Sequence, residues 1–442
     1  MHERTSRAMA RLLFVACCAM PTLLTLAVII VCRSPWYHRS EIRALESKLE
    51  IRTGLDFQIG DFHRAAPDRI ELSDVQLRHP ETGRPVLDLY RVTWQRNDQG
   101  TVIRIVQPKL HHDQISAAWY LIHDRYLCQS QHTQSPTTIL VDGLTVGDFT
   151  FRDIDAQIVP HPQTVEVIAS AVPASGNGID DVIEATVMRD RSGVLPSTNW
   201  WINTNTAQLP CRVLNDFIPW MKRLGDSAQF AGMMALETGL DDMVVDLSGA
   251  RFSDIDLATF AENLPHRMGG TAEIRFDRCV LQSDQRHDIA GQITCDGGGF
   301  IAATLLTPLA DQFGVQIDPQ WARQRDVGFD RFSAWFEING RSMQATGNCN
   351  RLETYLPPDV LASVGGRPIL MLPPTGPLDS AALAYLAAPL QSPMVPLTQA
   401  TRPILKWLQP GAPEINGGSP AARLSRIRSL DDSSPAAISQ PR

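Results

Sequence analysis

The sequence holds no His-Glu-x-x-His, no Gly-x-Ser-x-Gly, no phosphate loop ending in Gly-Lys-Ser/Thr and no Cys-x-x-Cys. The metalloprotease, hydrolase, phosphate-binding and dithiol chemistries that need those spacings therefore have no signature here. Gly297-Gly298-Gly299 lacks the later glycine of a dinucleotide fingerprint and reads as a turn. Basic charge is also short: 40 Lys and Arg stand against 48 Asp and Glu, a net charge of −8. No basic stripe appears, so nucleic acid is not an expected partner. Of 8 cysteines, Cys17, Cys18 and Cys32 fall in one apolar run, and Cys128, Cys211, Cys279, Cys295 and Cys349 are scattered and odd in number. That is no disulfide framework. A Cys279–Cys295 bridge requires their strands to pair, and a buried free thiol is the expected state of each. Strands do not alternate with long helices, which argues against a doubly wound sheet.

The nearest approach to a metal cluster is His111-His112-Asp113. Adjacent residues on a strand point to opposite faces, so the two histidines do not easily share an ion. Asp241-Asp242 reads as a solvated turn, and Trp200-Trp201 as one ring in the core and one at its edge. No catalytic residue, metal or cofactor is assigned, and the chain is not expected to be an enzyme.

What the sequence does hold is an uncharged run over residues 12–32. At about 1.5 Å per residue it is about 30 Å long, enough to cross a hydrocarbon core. Arg4, Arg7 and Arg11 precede it against Glu3 alone, which puts residues 1–11 in the cytoplasm and exports the remainder. Arg33, Arg39 and Arg43 come after it and bring the two counts closer. A cleaved signal has a shorter apolar stretch ending in small residues. Here the run ends Ile29-Ile30-Val31, and Val31 stands where a lipoprotein cysteine at Cys32 would want a small neighbour. An uncleaved anchor is expected, kinked at Pro21.

Beyond the anchor, 43% hydrophobic content suits a globular chain. Ser40 can cap a charged helix from Glu41 to about Arg52, stopped by Gly54. Apolar residues then alternate: Leu55, Phe57 and Ile59, then Ile70 and Leu72. After Ser73-Asp74 they resume one residue out of step at Val75 and Leu77, the mark of a bulged strand. The pattern recurs to about Ile338, with turns rich in Gly, Pro and Asp, and predicts an antiparallel β meander. Helices interrupt it at 115–127, 213–224, 256–264 and 301–313. From 353 to 408 the composition shifts to proline and alanine with short apolar pieces, and 409–442 reads as disordered.

The order of span, short helix, Thr53-Gly54-Leu55-Asp56-Phe57, then Asp68 to Leu77, Pro80-Glu81-Thr82-Gly83 and Val86-Leu87-Asp88-Leu89 resembles the start of AsmA-like bacterial envelope proteins. Those are related to TamB and to the bridge-like lipid transfer proteins. A second stretch, Leu247 to Leu257, a helix, then Gly269-Gly270-Thr271-Ala272-Glu273-Ile274, resembles their C-terminal part. The resemblance implies an exported domain over 33–352, a curved sheet whose apolar face cradles phospholipid acyl chains, and a role in lipid homeostasis or outer-membrane assembly. It implies a cytoplasmic (inner) membrane protein with its bulk in the periplasm, partnered by phospholipid, with other envelope proteins as further candidates. Groove candidates by one-sided alternation are Leu72, Leu87, Leu89, Leu144, Val146, Phe149 and Phe151. The alternative is a non-catalytic envelope scaffold in which two sheets bury their faces on each other as a closed sandwich.

Overall fold

The computed structural model describes Met9 and residues 13–386, apart from 33, 112–113, 130–134, 177–180, 194–195, 216–217, 239–242, 283–286, 350–355 and 375. His112, Asp113, Asp241, Asp242 and the 409–442 tail lie outside the described residues.

A π-turn, Val15–Ala19, leads into the Met20–Cys32 helix. Proline carries no N–H and its ring crowds the preceding turn, so the wider π spacing is where the helix accommodates Pro21. Leu23, Leu24, Leu26, Ile29 and Ile30 are all exposed. Among the described residues no single helix is long and apolar enough to cross a membrane. The pair Val15–Val31 and Pro35–Thr53, bent by 60°, has the length and apolar content only when its two helices are taken together. The second helix starts earlier than its charge pattern predicts, because Ser34 rather than Ser40 caps it by accepting from the Tyr37 N–H. It ends at Gly54 as expected, with φ 77°.

The chain then becomes a large, open, mainly β structure. Its first nine strands are β1 (Asp56–Ala66), β2 (Arg69–Arg78), β3 (Pro85–Asn97), β4 (Gly100–Leu110), β5 (Thr137–Val146), β6 (Phe149–Pro160), β7 (Thr164–Pro173), β8 (Ile183–Asp190) and β9 (Ser197–Asn203). They pair in chain order. The meander is not wholly antiparallel, as the alternation had suggested: β4 and β5 run parallel. A parallel pair needs a crossover rather than a hairpin. The connector between them supplies it with the Ile115–Ile122 helix and a π-turn, His123–Leu127.

From β9 the ladder continues through Met233–Thr238, Met243–Asp246, Met268–Gln282, Asp288–Cys295, Arg331–Asn339 and Ser342–Gly347. Val360–Val364 and Arg367–Met371 pair with each other, and the first also pairs with Arg331–Asn339, so the sheet reaches into the proline-rich stretch. The expected 213–224 helix is two short pieces, Cys211–Leu214 and Pro219–Leu224, and the 256–264 helix is only Leu257–Phe260, capped by Asp256. The Ala303–Phe313 helix starts two residues late because 301–302 belong to the Gly299–Ala302 strand. There Gly299 is needed for close approach, since a Cβ on it would lie 2.1 Å from the Gly269 carbonyl oxygen.

Interruptions of the ladder, with the register kept on either side and no bulge at Asp74, are aligned from strand to strand. Ile59 pairs with Val75 and Asp61 with Ser73, leaving Asp74 unpaired at φ 52°. The same break separates Leu89 from Arg91 against Pro108 and Val106, with Gln107 at φ 51°, and Val141 from Gly143 against Ile154 and Arg152, with Asp153 at φ 50°. Each left-handed residue shifts the side-chain phase by one, so Leu72 and Val75, three apart, are both buried.

Candidate functional site: the apolar face of the sheet

Strand pairing generates one apolar row. Ile70, Trp94, Ile103, Ile139, Ala156, Ala169, Ala185, Ile202 and Met234 are successive cross-strand partners from β2 to Met233–Thr238. One residue along, the opposite face reads Glu71, Thr93, Arg104, Leu140, Asp155, Ser170, Glu184 and Asn203 over β2 to β9. Side chains alternate across a strand, so one surface is oily across the ladder and the other is predominantly polar.

Protein covers this face unevenly. Ile42, Leu45 and Leu49 of the Pro35–Thr53 helix pack over a cluster that includes Leu55, Ile59, Leu72, Val75, Leu77 and Leu89. Trp119, Tyr126 and Leu127 of the connector pack on Val165, Val187 and Trp200, with the Trp119 and Trp200 rings 4.4 Å apart and edge-on. The largest cluster fills the C-terminal half around Phe230, Phe252, Leu306 and Leu370. Between these, Ile139, Val141, Leu144 and Ile154 are half-buried and belong to no packed cluster among the described residues.

The seven groove candidates divide accordingly. Leu72 and Leu89 are buried beneath the Pro35–Thr53 helix, and Leu87 packs against the same cluster. Val146 is buried, while Phe149 and Phe151, with rings 4.9 Å apart, pack on the C-terminal core. Leu144 is half-buried and lies outside the packed clusters of the described residues. Ile139, Val141 and Ile154 were not singled out from sequence, although their alternation was legible. Which stretch of an apolar face is covered depends on where the helices dock.

The polar residues that stand out in the sequence are otherwise employed. His111 Nε2 lies 2.8 Å from Asp88 Oδ2, while Gln76 Nε2 donates to Oδ1 at 2.7 Å. Burial raises the Asp88 pKa, but these bonds outweigh it and the net shift is downward. Trp200 lies on the apolar face opposite Val187, and Trp201 on the other. The strands of Cys279 and Cys295 do pair, yet Cys279 stands opposite Ile289, and both thiols are free and buried. Burial pushes Cys279 up to about 12.

One polar group was missed from sequence. His123 Nδ1 lies 3.3 Å from Asp124 Oδ1 and 3.7 Å from Cys128 Sγ. On an α-helix, residues five apart are offset by about 140° and do not meet. Here the Cys128 N–H donates to the His123 carbonyl, the i to i+5 closure of a π-turn, which brings them together. Burial raises the Cys128 pKa, with Arg189 next in opposing it.

Comparison with protein-family models, curated proteins and solved structures returned no match. The resemblance seen in the sequence stands on its motifs alone, and the face itself carries the functional reading.

Proposed function

We propose that this is a membrane-anchored envelope protein that binds or conducts phospholipid acyl chains along the apolar face, in support of lipid homeostasis or outer-membrane assembly. The observation that carries the reading is the apolar row, with a half-buried stretch at Ile139, Val141, Leu144 and Ile154 that no packed cluster of the described residues includes. Water against such a strip is unfavourable at about 25 cal/mol per Å², and an acyl chain is a cover of matching chemistry.

Contacts of the connector support a trough rather than a flat sheet. A Cβ on Gly54, just before β1, would lie 2.7 Å from Arg125 Cγ. Two residues earlier, His123 Nε2 is 2.9 Å from Thr198 Oγ1 on β9. By bond lengths this chain of contacts spans roughly 20 Å. Eight flat strand spacings from β1 to β9 would be about 38 Å. A sheet that bends around its connector satisfies both.

A membrane location is favoured by the exposed apolar helix Met20–Cys32 and by the charged helix next to it. The first turns of Pro35–Thr53 expose Trp36, Arg39 and Arg43 on one side, an aromatic and basic patch suited to an anionic lipid surface. The scaffold reading draws on the burial of Leu72, Leu89 and Val146 by protein. Mass spectrometry of gently extracted, full-length protein separates the two. Phospholipid retained in near-stoichiometric amount is expected, and a lipid-free, folded preparation would favour the scaffold.

A further inference from the structure

We propose that His123, Asp124 and Cys128 form a binding site for a divalent transition cation of the zinc class. Nδ1, a carboxylate oxygen and Sγ lie within 4.8 Å of one another. With metal bonds of about 2.0–2.3 Å, the edges of a tetrahedral site are about 3.3 Å for N···O and about 3.5 Å for N···S. The observed separations of 3.3 and 3.7 Å are close to those two edges, and the carboxylate oxygen and sulfur lie within 4.8 Å of each other. Nitrogen, oxygen and thiolate sulfur together suit zinc or cobalt better than magnesium or calcium.

The surroundings supply what such a ligand set needs. Thr198 is buried, and its Oγ1 lies 2.9 Å from His123 Nε2. Accepting a hydrogen bond there would hold the proton on Nε2 and leave the Nδ1 lone pair facing the carboxylate and thiol, the usual arrangement behind a ligating imidazole. Asp124 is exposed, so a fourth position is open to water or an incoming ligand. The cation displaces the thiol proton, which leaves to solvent. Arg189, which donates to Thr198 Oγ1 at 2.8 Å, and Arg191, bonded to the Leu127 carbonyl, stand nearby and oppose the added charge. They favour the thiolate at the same time. A bound ion would lock the π-turn of the connector, which the His123–Thr198 contact joins to β9.

The test is cobalt titration of chelator-stripped, full-length protein in lipid nanodiscs. One equivalent of Co²⁺ should give a thiolate-to-metal charge-transfer band that Zn²⁺ abolishes. Cys128→Ser should remove that band, which separates this thiol from the other cysteines. Asp124→Asn, on an exposed side chain, and Thr198→Val, behind the imidazole, should each weaken binding about 10-fold or more. Absence of the band in the native protein would overturn the site. So would a band unchanged in Cys128→Ser, or an affinity unchanged in Asp124→Asn.

Discussion

At the scale of single residues, the sheet depends on a few positions where backbone conformation outranks side-chain chemistry. Asp74 holds φ 52° and sets the phase change that lets Leu72 and Val75 both face inward. Aspartate tolerates that region and a β-branched residue does not. Asp74→Val should cost about 1–2 kcal/mol in denaturant unfolding. Asp74→Gly should cost nothing measurable, and equal losses in the two variants would count against the backbone explanation. Asp88 gives a test by pH. Its folded pKa lies below the unfolded value of about 3.9, so its contribution is complete above that value and is lost as pH falls through the folded one. Its side chain is 35% exposed, so solvent screens the effect. Asp88→Asn should lower the denaturation midpoint slightly at neutral pH, where the contribution is complete, and flatten its fall below about pH 4, so that variant and parent converge in acid.

At the scale of elements, paired strands approach so closely that some positions admit no side chain. A Cβ on Gly291, within Asp288–Cys295, would lie 2.4 Å from the Arg275 carbonyl oxygen and 3.2 Å from Phe276 Cα. Backbone of the neighbouring strand cannot yield without breaking the ladder. Gly291→Ala should therefore lose about 1–3 kcal/mol by chemical denaturation. Gly314→Ala, with open space but φ 72°, should lose only its backbone strain of about 1–2 kcal/mol. The turns and caps that surround such glycines were legible in sequence: Gly54 ends its helix, and the 115–127 helix has its predicted bounds. The start of the first long helix was not, because Ser34 and Ser40 are equivalent caps until the preceding chain direction is known.

At the scale of the whole molecule, uncovered apolar surface and packed core are distinguished by what a charge does to each. Val141→Asp places a carboxylate on the half-buried strip, where acyl chains would have to desolvate it. Bound phospholipid should fall several-fold, with the far-ultraviolet spectrum and melting temperature retained. Leu72→Asp buries the same charge at a site 3% exposed beneath the Pro35–Thr53 helix, and should lower the melting temperature or abolish folding. If Val141→Asp kept its lipid, or unfolded as Leu72→Asp does, the strip would not be a lipid surface.

Alternation in the sequence determined the class of this fold, because a period of two can be satisfied only by strands with one apolar face. The change of side-chain phase at Asp74 was likewise visible, since it is a local property of the chain, but the bulge expected there is absent: the strands keep their register across it. The parallel pairing of β4 with β5 was not visible, because it depends on where a crossover helix lands. Nor was the division of one apolar face into core and open strip: Leu72 and Ile139 look alike in sequence and differ only in whether a helix lies above them. The meeting of His123 with Cys128 likewise waited on a π-turn that five-residue spacing does not announce. Local chemistry fixes which way a side chain points, and only the assembled fold decides what it meets there.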